Sequence, residues 1–198
     1  AYAETQNTYG SFNTWRNNVS FGTGLLGGRF TVDGRLSRIS SDGYIDRASS
    51  DLKSYYLAAG YQQRNTLVKF ITFSGREKTY QAWNGVPEDS LKTNRRYNEF
   101  TYDNQTDNYQ QNHYQLHLTQ GLGPDWNLAS ALHLTRGFGY YEEFRADDKL
   151  ADYGLQNVVL GDTAIKRTDL VRRKWLDNYF FGGTFALNYQ PHQNDRLQ

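Results

Sequence analysis

The clearest pattern in the chain runs from His113 to Gln120, where Tyr114, Leu116 and Leu118 alternate with His113, Gln115, His117 and Thr119. A period of two places the apolar set on one face of a strand and the polar set on the other. After the turn-formers Gly121-Leu122-Gly123-Pro124-Asp125, Leu128, Leu132, Leu134 and Phe138 resume the pattern against Asn127, His133 and Thr135, which predicts a hairpin. Tyr179, Phe181, Phe185, Leu187 and Tyr189 alternate with Asn178, Thr184 and Asn188 up to the break at Pro191. Upstream, Ser54 to Gln62 and Thr66 to Ser74 are rich in aromatic and β-branched residues and flank the short turn Gln63-Arg64-Asn65. Phe30, Val32 and Leu36 share a parity within Arg29 to Arg38. Tyr9, Trp15, Val19, Phe21 and Leu25 do the same across Thr8 to Leu25, giving seven predicted strands and no helix.

The connections alternate between two lengths. Tight turns are predicted near Leu26 to Gly28, Gln63 to Asn65, Gly121 to Trp126 and Pro191 to Arg196, with long polar excursions at Ser40 to Asp51, Gly75 to Asn108 and Glu142 to Arg172. In an up-and-down meander every second connection lies at the same end. One end of the sheet should therefore carry tight turns and the other long loops, the asymmetry of outer-membrane barrels. The expected fold is all-β: an antiparallel up-and-down meander of about seven strands, forming part of a large transmembrane β-barrel.

Barrel facing assigns Leu116, Leu118, Leu132, Leu134, Phe185 and Leu187 to lipid. It makes Tyr55, Tyr61, Tyr140, Tyr141, Tyr179 and Tyr189 interfacial girdle residues, since amphipathic rings favour the headgroup level. Composition agrees: no run approaches the roughly 18 apolar residues of a spanning helix, yet 16 Tyr, 11 Phe and 4 Trp exceed what a disordered chain carries. With 22 basic against 21 acidic residues, the chain lacks the electrostatic footprint of a nucleic-acid binder. The absence of cysteine removes thiolate metal sites and thiol nucleophiles. The absence of methionine predicts a fragment or a processed chain.

The stretch Gly75-Arg76-Glu77-Lys78-Thr79-Tyr80-Gln81-Ala82-Trp83-Asn84-Gly85-Val86-Pro87, followed by Asn94-Arg95-Arg96-Tyr97-Asn98, resembles the barrel region of TonB-dependent outer-membrane receptors of the Bacteroidetes type. Tyr114 to Leu118, Gly137 to Glu142 and Asp177 to Gly183 are similar to strand and loop boundaries of the same family, so the likeness covers most of the chain. The resemblance implies a barrel of about 22 strands, a plug domain inside it, and energy from the TonB complex. Its function would be import of a scarce nutrient such as a ferric siderophore or a cobalamin-like ligand. Implied partners are membrane lipid and lipopolysaccharide, the plug of the same chain, TonB acting through that plug, and the small-molecule ligand. Residues 1–198 contain no plug pattern and no terminal closing strand, so they are expected to be one partial barrel domain, an internal slice.

Candidate ligand-binding residues lie in the loop from Gly75 to Asn108: Tyr80, Trp83 and Tyr97 beside Lys92, Arg95 and Arg96. Ring faces next to guanidinium groups suit an aromatic or anionic ligand, although the same residue types also fold a loop upon itself. Other motifs carry less. Gly22-Thr23-Gly24-Leu25-Leu26-Gly27 spells a dinucleotide fingerprint, but that motif must open a helix and here a turn and strand follow, so no cofactor is expected. His113, His117 and His133 share the polar parity, as metal ligands or as simple lumen residues. Glu142, Glu143, Asp147, Asp148 and Asp152 are either a calcium site or a solvated acidic face. No Ser, His and Asp form a triad, so transport or binding is expected over catalysis. The competing functions are a porin-like barrel without energy coupling and a soluble all-β glycan-binding module.

Overall fold

The structure, a computed structural model, describes residues 1–190. The strands are β1 (Tyr2–Gly10), β2 (Thr14–Gly22), β3 (Phe30–Ser41), β4 (Ser50–Gln63), β5 (Thr66–Tyr80), β6 (Thr106–Gly121), β7 (Trp126–Lys149), β8 (Val158–Leu160), β9 (Thr163–Ile165) and β10 (Arg167–Tyr189). Eight of them form one antiparallel sheet in the order β1-β2-β3-β4-β5-β6-β7-β10, and β8-β9 is a separate hairpin. The meander is therefore as expected, with eight strands in place of seven.

The extra strand comes from Thr8 to Leu25, which is two strands joined at Ser11 to Asn13. Phe12 and Asn13 take φ of 59° and 53° there, so the turn is made without the glycine that usually marks it. Tyr9 faces Trp15 across the hairpin, so odd positions stay on one face through the turn and the period shows no break. This three-residue turn also sits at the end that was expected to carry long loops alone. Of the remaining connections, 64–65 and 122–125 are tight at one end and 81–105 and 150–166 long at the other, as predicted, whereas 23–29 and 42–49, at opposite ends, are nearly equal in length. The turn placed at Pro191 to Arg196 lies outside the described residues.

The long excursions are shorter than predicted because strands run into them. β5 continues through Tyr80, β6 begins at Thr106, and β7 and β10 pair as far as Lys149 and Arg167. A short helix, α1 (Glu88–Leu91), and a 3₁₀ turn, Leu150–Tyr153, punctuate the loops. At the other end, Gly27 and Gly28 have φ of 54° and 69°, allowing Leu26 and Phe30 to pair across a tight reversal. The fingerprint-like glycines thus serve a strand-to-strand turn.

Residues directly opposite in the register share a face. Rows therefore read straight across the sheet. One face carries Phe30-Tyr61-Val68-Leu118, Val32-Ala59-Phe70-Leu116-Leu132 and Leu57-Thr72-Tyr114-Leu134-Phe181. The other carries Arg35-Tyr56-Phe73-His113-Thr135 and Lys69-His117-Ala131-Thr184. Along β4 the polar side is the more enclosed, with Tyr55, Leu57 and Ala59 exposed, Tyr56 and Gly60 half-buried and Ala58 buried; on β5 it is the small Thr72 and Ser74, on the apolar side, that are buried among larger neighbours. These are termed the outer (apolar) and inner (polar) faces. All six residues assigned to lipid fall on the outer face, as do Tyr55, Tyr61, Tyr140, Tyr179 and Tyr189. Tyr141 is a correction: it lies opposite Asp107 on the inner face, one residue out of phase with Tyr140.

Nothing in the described residues packs onto the outer face to make a second layer. Among the described residues the buried apolar side chains are Ala58, Tyr80 and Leu150, while Phe70, Leu116, Leu132, Phe181 and Phe185 are exposed. Four aromatic pairs cross neighbouring strands on this face. Phe30–Tyr61 and Trp126–Tyr189 lie towards the tight turns, Tyr9–Trp15 and Tyr140–Trp175 towards the loops, with centroids 4.6–5.0 Å apart.

Candidate functional site

The sheet delivers two assemblies with chemical content, a loop cluster at its rim and a hollow on its inner face. In the rim cluster, the 81–105 loop is held to the 42–49 loop almost wholly through backbone carbonyls. Arg47 donates from Nε to the Phe100 carbonyl and from Nη2 to that of Asn98, both at 2.8 Å. The buried Asn98 donates to the carbonyls of Asp46 and Gln81, each at 3.0 Å. Loops rarely order without such partners, since each fixed residue costs about 1–2 kcal/mol of backbone entropy.

A second anchor ties the same loop to β7 and β10. Glu142, only 2% exposed, accepts hydrogen bonds from Tyr102 Oη (2.7 Å), Asn104 Nδ2 (2.7 Å) and Arg173 Nε (2.6 Å). Gln81 Nε2 donates to the Glu142 carbonyl at 3.0 Å, and Gln105 Oε1 accepts from the Phe144 amide at 3.3 Å. Burial acts to raise the Glu142 carboxyl, but the three hydrogen bonds and the Arg173 charge outweigh it and hold the group below the usual carboxylate range. The same contact raises the Tyr102 phenol, whose proton is held by the carboxylate.

The sequence-predicted binding residues divide within this framework. Tyr80 is buried and its hydroxyl donates to the carbonyls of Phe100 and Tyr102, so it braces the loop. Arg96 donates to the Tyr44 carbonyl at 2.8 Å and pairs with Asp46 at 3.4 Å, tying the two loops together. Trp83 is 57% exposed and stands edge-on to Tyr141 at 5.4 Å, with Lys174 over the other ring. Lys92 closes α1, and Arg95 and Tyr97 are exposed or nearly so. The structure thus brings Tyr80 and Arg96 together as scaffold and leaves Trp83, Lys92, Arg95 and Tyr97 at the surface. Since Tyr102 and Asn104 reach the outer-face Glu142 while Trp83 meets the inner-face Tyr141, the loop straddles the rim.

Four of the five acids in the acidic run, all but Asp152, are likewise taken up in ion pairs. Glu142 pairs with Arg173, Glu143 with Arg172, Asp147 with Arg167 and Asp148 with Arg145. Tyr153 Oη donates to Asp148, and with Arg145 it holds that carboxyl below its ordinary range.

The inner-face hollow is an open depression of about 540 Å³, within the size range of small-molecule sites. Its floor is the row Arg35-Tyr56-Phe73-His113, with Glu77, Tyr109 and Gln111 towards the loops. The Phe73 and His113 rings stack at 4.2 Å and 13°, and His113 Nδ1 is hydrogen-bonded to Thr135 Oγ1 at 2.9 Å. His117 instead contacts Gln115, and His133 lies against Phe180. The three histidines therefore share a face, as predicted, but have separate partners. Sequence reading missed this hollow because its residues come from four strands. Only register unites them. A planar or anionic group could stack on the Phe73–His113 pair while facing the Arg35 guanidinium. No protein-family model matches the chain, and no curated protein matches it.

Proposed function

We propose that this chain forms part of the wall and external loops of a TonB-dependent importer in a bacterial outer membrane, one that moves a scarce nutrient such as a ferric siderophore or a cobalamin-like compound. The observation that carries the reading is the outer face: exposed Leu, Phe and Tyr side chains across eight strands, bounded at both ends by cross-strand aromatic pairs. On β6 the row of Phe30–Tyr61 falls at Leu118 and the row of Tyr140–Trp175 at Asn108, ten residues apart, with Trp126–Tyr189 lying beyond Leu118 towards the turns. That is on the order of 33 Å of strand, enough to cross the roughly 25 Å apolar band of an outer membrane. β7 and β10, with 24 and 23 residues, exceed the roughly 9–11 residues that a spanning strand needs and would project a hairpin beyond the bilayer. The open edges of β1 and β10 fit a larger barrel in which both find neighbours.

In this reading the rim loops capture the ligand, the inner hollow lines its path or seats the plug, and TonB supplies the energy for release. Labelling tests the facing. In the intact protein, a label on Leu116→Cys is expected to be quenched by a bilayer-phase nitroxide and one on His117→Cys by an aqueous quencher. Inverted quenching would mean that every side chain has been assigned to the wrong face. Uptake that persists without TonB would favour a porin-like barrel.

Capture by the rim is tested with Trp83→Ala combined with Arg95→Ala, because neither side chain braces the loop. Affinity for the compound whose uptake the intact protein restores is expected to fall by about 1–3 kcal/mol, the scale of a lost charge-assisted contact. Arg96→Ala should loosen the loop instead. Unchanged affinity in the double variant would make the loop scaffold only.

A further inference from the structure

On the outer face, Arg38, Lys53 and Arg76 stand directly opposite one another on β3, β4 and β5. Adjacent strands are about 4.8 Å apart, so the three charges share a line on the order of 10 Å long. Lys78, two residues further along β5, adds a fourth cation on the same face, and all four side chains are exposed. Asp51, opposite Lys78, is the acid they share: it pairs with Arg38 Nε at 2.9 Å and with Lys53 Nζ at 3.2 Å. Among the described residues Arg76 and Lys78 have no carboxylate partner, so four cations face one carboxylate. Like charges set directly opposite one another destabilise a sheet. A bound anion would remove that cost.

Position identifies the anion. The row through Asp51 and Lys78 is continuous with the aromatic pair Tyr9–Trp15 on one side and Tyr140–Trp175 on the other. The cations therefore lie at the loop-side edge of the apolar face. At the turn-side edge both the aromatic row Phe30-Tyr61-Val68-Leu118 and the next row out, Gln63-Thr66-Gln120, are uncharged. Only one boundary of the apolar band is basic.

We infer that Arg38, Lys53, Arg76 and Lys78 form a binding site for the phosphate groups of a lipid headgroup in the leaflet nearer the long loops. The guanidinium forks of Arg38 and Arg76 suit phosphate bidentately, and the two lysines act as point charges. Below them the exposed Leu36, Leu57 and Phe70 offer a surface for the acyl chains. The inference rests on the outer face meeting lipid, as proposed above.

The test uses the intact protein in detergent micelles and its R76Q/K78Q variant, chosen because neither side chain holds an ion pair in the fold. Each is titrated with bisphosphorylated lipid A and with the same lipid stripped of both phosphates. The parent is expected to bind the phosphorylated form about ten-fold more tightly, and the variant to lose that preference while its heat-modifiable migration is unchanged. Equal binding of the two lipids by the parent, or an undiminished preference in the variant, overturns the inference. Inorganic phosphate at equal phosphate concentration is expected not to compete; competition as strong as that of the lipid would assign the site to free phosphate and overturn the lipid assignment. The labelled Leu116→Cys protein in phosphatidylcholine vesicles separates the two levels. Absence of bilayer-phase quenching overturns the membrane reading itself, whereas quenching without a phosphate preference overturns the headgroup site alone.

Discussion

Replacing Glu142 with alanine is expected to release the 81–105 loop from the sheet while the strands below stay paired. The substitution leaves Tyr102, Asn104 and Arg173 without their shared acceptor. Breaking a buried charged contact costs about 3–5 kcal/mol, but Arg173 is 48% exposed and recovers water. A local loss of about 2–3 kcal/mol follows, at the scale of hydrogen bonds to a charged group. Hydrogen exchange of the 98–106 amides, compared with those of β4 and β5, measures it. Equal protection in parent and variant would show that the Arg47 and Asn98 contacts suffice to hold the loop.

The same carboxylate predicts a pH dependence. Its pKa in the folded chain lies below the value of about 4.3 for a free glutamate. The unfolded state therefore binds the proton more readily, and acid favours release. The stabilisation is complete above the free-glutamate value and is lost as pH falls through the depressed folded value. Exchange of the 98–106 segment, corrected for intrinsic rates, should stay flat from neutrality to pH about 5 and rise only in stronger acid. In Glu142→Gln that acid step should disappear.

The second large effect is expected at Gly139. A Cβ there would strike the Asn108 carbonyl oxygen and come within 2.8 Å of Tyr109 Cα, both backbone atoms of the paired strand. A backbone neighbour cannot swing aside as a side chain does, so Gly139→Ala must separate β6 from β7 or shift their register. About 3 kcal/mol, the upper end for overpacking, is expected, with a matching fall in the yield of folded protein. Gly75→Ala is the matched control, because no atom lies within 4 Å of its added methyl on the same inner face. Equal yields of folded protein from the two variants would show that the β6–β7 contact is looser than described.

Alternation made β3 and the Tyr114 to Leu118 part of β6 legible because apolar and polar residues take opposite faces there, and the same contrast on β7 put Leu134 on the side of Leu116, whereas β4 and β5 were legible from their aromatic and β-branched content. It failed where the contrast vanishes. Gly75 to Tyr80, Thr106 to Tyr109 and Glu142 to Lys149 are polar on both faces and yet pair with their neighbours. Their strand character lies in hydrogen bonds that a single-chain pattern does not record. The β1–β2 turn was illegible for another reason, since Phe12 and Asn13 supply positive φ without glycine and parity passes through unchanged.

The same division applies to the sites. The sequence by itself determined the residue types at the rim, the all-β class, the antiparallel meander and the two longest excursions, because period and turn chemistry are local properties. Which of those rim residues brace and which remain available was decided by tertiary structure: Tyr80 and Arg96 are spent on carbonyls and on Asp46, contacts spanning up to 52 positions. Tertiary structure also decided the hub at Glu142, the Arg35-Tyr56-Phe73-His113 floor and the Arg38-Lys53-Arg76 row. Each joins residues whose only relation is strand register, and register is fixed by the pairing of the whole sheet.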